Sequence, residues 1–187
     1  MTTTQIAVIV IVVVALIAVA VVLFLRNRTK RLRSQFGPEY NRAVEETGST
    51  HKAEAELERR EKRVRRYPLR PLSSADRDRF QQSWRTIQAT FVDDPDRAMS
   101  EADQLLGAVM SARGYPVSDF EHRAAEISVD HALVVQHYRA GHEIAVRHSQ
   151  RKATTEDLRQ AMVHYRALFD ELTQAQEPLR AHAAGAS

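Results

Sequence analysis

The 187-residue chain contains eight histidines, and six of them fall between His122 and His164. Imidazole titrates nearest to neutral pH and is the commonest metal ligand, so this stretch is where chemistry would sit. His131 and His142 are eleven residues apart, which on one helix places them on one face but about 16 Å apart along the axis. One metal ion cannot bridge that gap. A shared site would need ligands from other helices, with Glu126 and His164 as the candidates. His137 and His148 repeat the spacing on another face. Neither a His-Glu-x-x-His motif nor a pair of Glu-x-x-His motifs is present. The simpler reading is that the histidines are buried, hydrogen-bond to neighbouring helices and fix packing. No metal and no cofactor is expected. His131, Tyr138, His142 and His164 stand as ligand candidates under the alternative, a ligand-, metal- or redox-binding helix.

Other catalytic signatures are missing from the sequence. It has no Gly-rich phosphate loop, no Gly-x-Gly-x-x-Gly and no Gly-x-Ser-x-Gly elbow. With no cysteine, disulfides, thiolate metal sites and cysteine nucleophiles are excluded. The chain is therefore not expected to be an enzyme.

The elements that would position the histidines are helices. Gly and Pro number six each, and the polar part is rich in Ala, Arg, Glu, Leu and Gln, all good helix formers. A compact four- to five-helix bundle is expected over 73–174. Ser73 or Ser74 caps its first helix, whose stripe is Phe80, Trp84, Ile87 and Phe91. Asp94 caps the second with Pro95 at its first position, and Gly114 ends it. Ser118 and Glu121 form a capping box for a short helix to Ile127. Ser128 opens a long helix, Val129 to His148, whose apolar face with Leu133 and Ile144 is wide enough to make it the centre of the bundle. Thr154 and Asp157 open the last helix, with a stripe of Leu158, Ala161, Met162, Tyr165, Phe169 and Leu172. Residues 175–187 are expected to be a disordered tail.

Ahead of this lies the most apolar stretch of the chain, Ile6 to Leu25, with no charged or polar side chain. Twenty residues at about 1.5 Å each span roughly 30 Å, the hydrocarbon thickness of a bilayer. Residues 1–5 carry no charged side chain, whereas Arg26, Arg28, Lys30, Arg31 and Arg33 follow directly. Cations stay on the cytoplasmic side. The expected topology is a short extracytoplasmic N-terminus, one helix through the inner (plasma) membrane and a cytoplasmic C-terminal domain. A cleaved signal peptide fits less well, because it needs a positive n-region and a shorter apolar core.

Residues 26–72 read as a basic helical connector. This segment has fourteen Lys and Arg against seven Asp and Glu, a net of +7. From Ser73 onward there are thirteen against seventeen, a net of −4. Phe36-Gly37-Pro38 breaks the first helix, Gly48 ends a short second one, and Ser49 or Thr50 caps a third running to about Arg66. Its apolar residues, Ala53, Leu57 and Val64, are few. A solvated helix is expected ahead of a coiled-coil dimer. The cluster Arg59, Arg60, Lys62, Arg63, Arg65 and Arg66 reads first as a solvated face; with the five cations next to the anchor it is also the candidate membrane surface, where anionic headgroups would attract it. No aromatics interleave it, so nucleic acid is not expected; nucleoid contact through Arg59–Arg66 is the weakest of the readings.

The segments RRYPLRPLSSADRDRFQQSWRTIQATFVDDP, RGYPVSDFEHRAAEISVDHALVVQHYRAGHEIA and TTEDLRQAMVHYRALFDELT resemble a family of uncharacterised bacterial proteins that pair one N-terminal membrane segment with a helical domain. That resemblance implies the architecture and no activity. The expected function is a membrane-tethered, non-enzymatic interaction or scaffold module, whose partners are the bilayer and another protein.

Overall fold

The computed structural model describes residues 3–116 and 118–174. The expected tail lies outside the described residues. Among the described residues there are eight helices and no strand: α1 (Thr3–Phe36), α2 (Pro38–Thr47), α3 (Thr50–Val64), α4 (Ser74–Asp93), α5 (Pro95–Ala112), α6 (Phe120–Ile127), α7 (Val135–Ser149) and α8 (Thr155–Gln174). The fold is an all-α bundle carrying one apolar N-terminal helix.

Local signals account for most of the boundaries. Ser73 Oγ accepts from the Asp76 backbone N–H, and Asp94 accepts from that of Arg97 with Pro95 next to it. Thr154 and Asp157 exchange both bonds of a capping box. Gly48 closes α2 at φ +64°. Gly114 sits at φ +95° behind α5, where a Cβ would come within 2.5 Å of the Pro68 carbonyl oxygen; only glycine fits both demands. Two boundaries differ from expectation. Asp119, not Ser118, caps α6, accepting from the His122 N–H. The helix expected from Val129 begins at Val135, because 128–134 form turns in which His131 N–H bonds Ile127 and Val134 N–H bonds His131.

α1 is long and apolar enough to cross a membrane. Its large apolar side chains from Ile11 to Leu25 are exposed, whereas Leu32 and Phe36 are fully buried in the bundle core. One unbroken helix thus leaves the apolar segment and enters the core. At Gly37 the chain reverses. α3 then runs parallel to the end of α1, since Arg28 meets Glu54 and Glu58 while Arg31 meets Glu58 and Glu61.

The connector is not a solvated arm. Tyr40, Ala43, Ala53, Leu57 and Val64 are buried with the core of the later helices. Buried Glu39 on α2 accepts from Arg139 and Gln136 on α7, and Arg60 on α3 donates to Ser128. The domain edge expected at Ser73 is therefore not where packing stops: α2, α3 and the end of α1 belong to the head. The sparse seam of α3 is occupied within the chain.

The central helix is also not the expected one. α7 buries only Val135, Tyr138 and Gly141, and Leu133, in the turn before it, is 77% exposed. α8 takes the middle position, burying Leu158, Ala161, Met162, Tyr165, Leu168, Phe169, Leu172 and Thr173 against α5 and α7. Trp84 of α4 stacks on Phe169 at 4.8 Å.

Candidate functional site

Close approach of α7 and α8 is set by Gly141. A Cβ there would lie 2.6 Å from the Tyr165 ring, so glycine lets that ring lie against the α7 backbone. One turn earlier, Tyr138 is fully buried and donates to Asp103 Oδ1 on α5 at 3.2 Å. Arg123 on α6 donates to the other oxygen, Oδ2, at 3.0 Å. Gly107 makes room for it, since a Cβ would sit 2.8 Å from the Arg123 guanidinium. Burial pushes both Tyr138 and Tyr165 up, so each phenol keeps its proton, and Tyr138 donates its own to Asp103.

Beside this network lies a cleft of about 760 Å³ between α5, α7 and α8, within the usual range for small-molecule sites. Met99, Ala145, Val146 and Leu158 supply apolar lining, and His142, His148, Asp96, Asp103, Arg151 and Tyr165 supply polar lining. His142 stacks on Phe120 with centroids 3.5 Å apart, and burial lowers its pKa, which favours the neutral ring. His148 Nε2 lies 2.5 Å from Asp96 Oδ1, and its Nδ1 lies 3.3 Å from the Ala153 carbonyl.

Arg151 follows α7 in a Schellman closure. Its N–H bonds the His148 carbonyl and the Lys152 N–H bonds that of Arg147. The residue at this point adopts the left-handed conformation, φ +58°, and is the one non-glycine with positive φ among the described residues. That conformation costs a side-chain-bearing residue about 1–2 kcal/mol, and glycine is the usual occupant.

Asp103 and Asp96 both have partners. Among the described residues, the side chains of Arg151, His142 and Tyr165 make no hydrogen bond or ion pair, although all three line the cleft. Asp103 is thus matched by Arg123, Asp96 stays largely exposed, and three donors lining the cleft have no protein partner among the described residues.

The four ligand candidates do not converge. His131 lies in the turns before α7, not on it, with Nδ1 2.9 Å from Glu171 Oε1 and a buried Nε2 that has no partner. Its pKa is lowered, first by burial, in keeping with a packing role. Tyr138 and His142 meet through Phe120, with tilted Tyr138–Phe120 centroids 4.7 Å apart. His164 pairs instead with His137 on α7, Nδ1 to Nδ1 at 3.0 Å. Glu126 accepts from Tyr67 at 2.5 Å; burial first, then this bond, pushes the Tyr67 phenol up to about 12. Among the described residues, no group of three or more His, Asp or Glu could hold a metal ion.

The basic residues divide in two. Arg28 bonds Glu58 through two nitrogens at 2.8 and 3.0 Å, and Arg31 bonds Glu61 at 2.9 Å. Arg60 is buried near Glu39, and Arg63 lies 3.5 Å from Glu126. Arg65 pairs with Glu61, and exposed Arg59 pairs with Glu56. The pairs of Arg28 and Arg31 tie α1 to α3, those of Arg60 and Arg63 tie α3 to α2 and α6, and the burial of Arg60 corrects a membrane-surface role for that residue in particular. Arg33 lies over the Tyr40 ring at 5.0 Å. Arg26, Lys30, Lys62 and Arg66 are exposed and form no ion pair among the described residues.

Sequence reasoning did not find Asp96, Asp103, His148 or Arg151 as neighbours of His142. None of the four carried a signal in the sequence, since the place of Arg151 at a helix ending where Gly is usual shows only in its backbone angle. No protein-family model matches the chain, and no curated protein or solved structure is significantly similar to it.

Proposed function

We propose that this chain is a single-pass membrane protein whose helical head faces the cytoplasm and works by binding another protein rather than by catalysis. The observation carrying this reading is the unbroken run of α1 from exposed apolar residues into the core at Leu32 and Phe36. Such a junction holds the head at a fixed distance and rotation over a bilayer. Orientation rests on the cations after the apolar stretch, with Arg26 and Lys30 free to meet headgroups. The parallel packing of α3 on α1 adds a second contact. Glu54 lies level with Thr29, so Thr50 is about 6 Å nearer the bilayer, close to the level of Leu25. Exposed Val92 and Leu133 are the apolar points offered to a partner. A photocrosslinker at either position, in the full-length chain in membranes, should give one discrete adduct that is lost when the anchor is deleted. Recovery of the chain as a soluble, shortened form would overturn the tether.

A second reading, a ligand-binding head, is favoured by the cleft, whose three unspent donors fit a bound molecule better than a packing defect.

A further inference from the structure

We propose that the cleft between α5, α7 and α8 binds a small organic carboxylate with an apolar body, its anionic end held by Arg151, with His142 and Tyr165 as further donors along the same cleft. The proposal rests on the ligand-binding reading and names the ligand's chemistry. Three features converge on it. Of the two carboxylates lining the cleft, Asp103 is matched by the Arg123 guanidinium and bonded by Tyr138, and Asp96, largely exposed, gives one oxygen to His148. The donors left over are a guanidinium, an imidazole and a phenol, a set that matches an anion's lone pairs. Met99, Ala145, Val146 and Leu158 line the same cleft and would take an apolar body out of water.

Arg151 is the informative residue. Glycine would make the same helix ending without strain, so packing alone does not explain an arginine there. Two backbone bonds of the Schellman closure hold its main chain, and its exposed side chain lines the cleft without a partner among the described residues. Phe120, stacked on His142, holds the plane of the second donor.

The test uses the full chain in lipid nanodiscs, with empty nanodiscs as blank. The calorimetric probes are 2-naphthylacetate, 2-naphthylethanol and 2-naphthylethylamine, which share a body and differ in charge, together with dodecanoate. Saturable 1:1 binding of naphthylacetate, about tenfold tighter than the alcohol or the amine, is expected from one charge-assisted contact. Arg151→Gly should remove that preference while leaving the melting temperature unchanged or higher, an outcome that a structural role for Arg151 would not give. Val146→Trp, which fills the cleft, should abolish binding of every probe. Tighter binding of dodecanoate than of naphthylacetate would assign a lipid-derived ligand, and the reverse a free one; either order supports the proposal. Equal affinity for the three naphthyl probes would overturn the carboxylate and leave the ligand-binding reading standing. No saturable binding of any probe, or unchanged binding in Val146→Trp, would overturn both.

Discussion

Glu39 is the sharpest place to perturb this fold. It lies on α2, in a segment whose sequence reads as a connector, yet it is 2% exposed. Its carboxylate accepts from Arg139 at 2.9 and 3.2 Å and from Gln136 at 3.0 Å, and Arg60 lies 3.8 Å away. Glu39→Ala leaves two largely buried guanidiniums facing a void. Breaking a buried ion pair from one side costs about 3–5 kcal/mol. Arg139 keeps Glu121 at 2.8 Å and Arg60 keeps Ser128 at 3.1 Å, which favours the lower end, about 3 kcal/mol. Glu39→Gln keeps the shape and one acceptor, so about 1–2 kcal/mol is expected. The reporter is Trp84, the single tryptophan, which sits on α4 against Phe169. Urea unfolding of the full chain in nanodiscs, followed by Trp84 fluorescence, should show the midpoint falling by about 1.5 M for Glu39→Ala at a typical denaturant slope. A Trp84 transition that does not move would mean that α2 and α3 are an appendage, and the integrated head described above would be wrong.

Further expectations follow from single residues. Trp84→Ala should cost about 3–5 kcal/mol in the same assay read by circular dichroism; Trp84→Phe should cost less, because the indole N–H is buried without a partner. His131 has a folded-state pKa below the unfolded value near 6.5. Its stabilising contribution is therefore fully present above about pH 6.5 and is lost as pH falls through the folded pKa, since the unfolded chain takes up the proton first. His131→Gln should flatten the part of the pH–stability curve below 6.5, and a chelator should leave the wild-type curve unchanged. A fluorophore on Thr50→Cys should be quenched by lipids carrying quencher near the headgroups, and one on Ala89→Cys should not.

What was legible in the sequence was local. The caps at Ser73, Asp94 and Thr154, the αL glycine at Gly48 and the apolar stripes of α4 and α8 each depend on neighbours within a turn or two, and the structure has them. What failed depended on distant partners. α3 shows only three apolar residues in its seam because Arg60, Glu54 and Glu61 are also buried there, balanced by charges on α1 and α2. Such pairing has no periodicity to read. The stretch Val129–Val134 has helical composition, but the chain turns there. Leu133 is therefore exposed, and His131 loses its register with His142. The Ser118–Glu121 box and the Asp119 cap differ by one residue, and either chemistry satisfies a helix N-terminus. The cleft was invisible for a similar reason: Arg151 acquires its meaning from a backbone angle, and Asp103 from two partners on other helices.

The most direct test of the central claim is the sidedness of the chain. It has no cysteine, so single-cysteine variants report without background. Ala89→Cys at an exposed position of α4 and Gln5→Cys at the start of α1 should react oppositely with a membrane-impermeant maleimide in a bacterial host. The tethered cytoplasmic head predicts labelling of Ala89→Cys only in inverted vesicles and of Gln5→Cys only in intact spheroplasts, both in a membrane-retained chain of full mass. Labelling of Ala89→Cys in intact spheroplasts, or loss of the N-terminal segment from the mature chain, would contradict it.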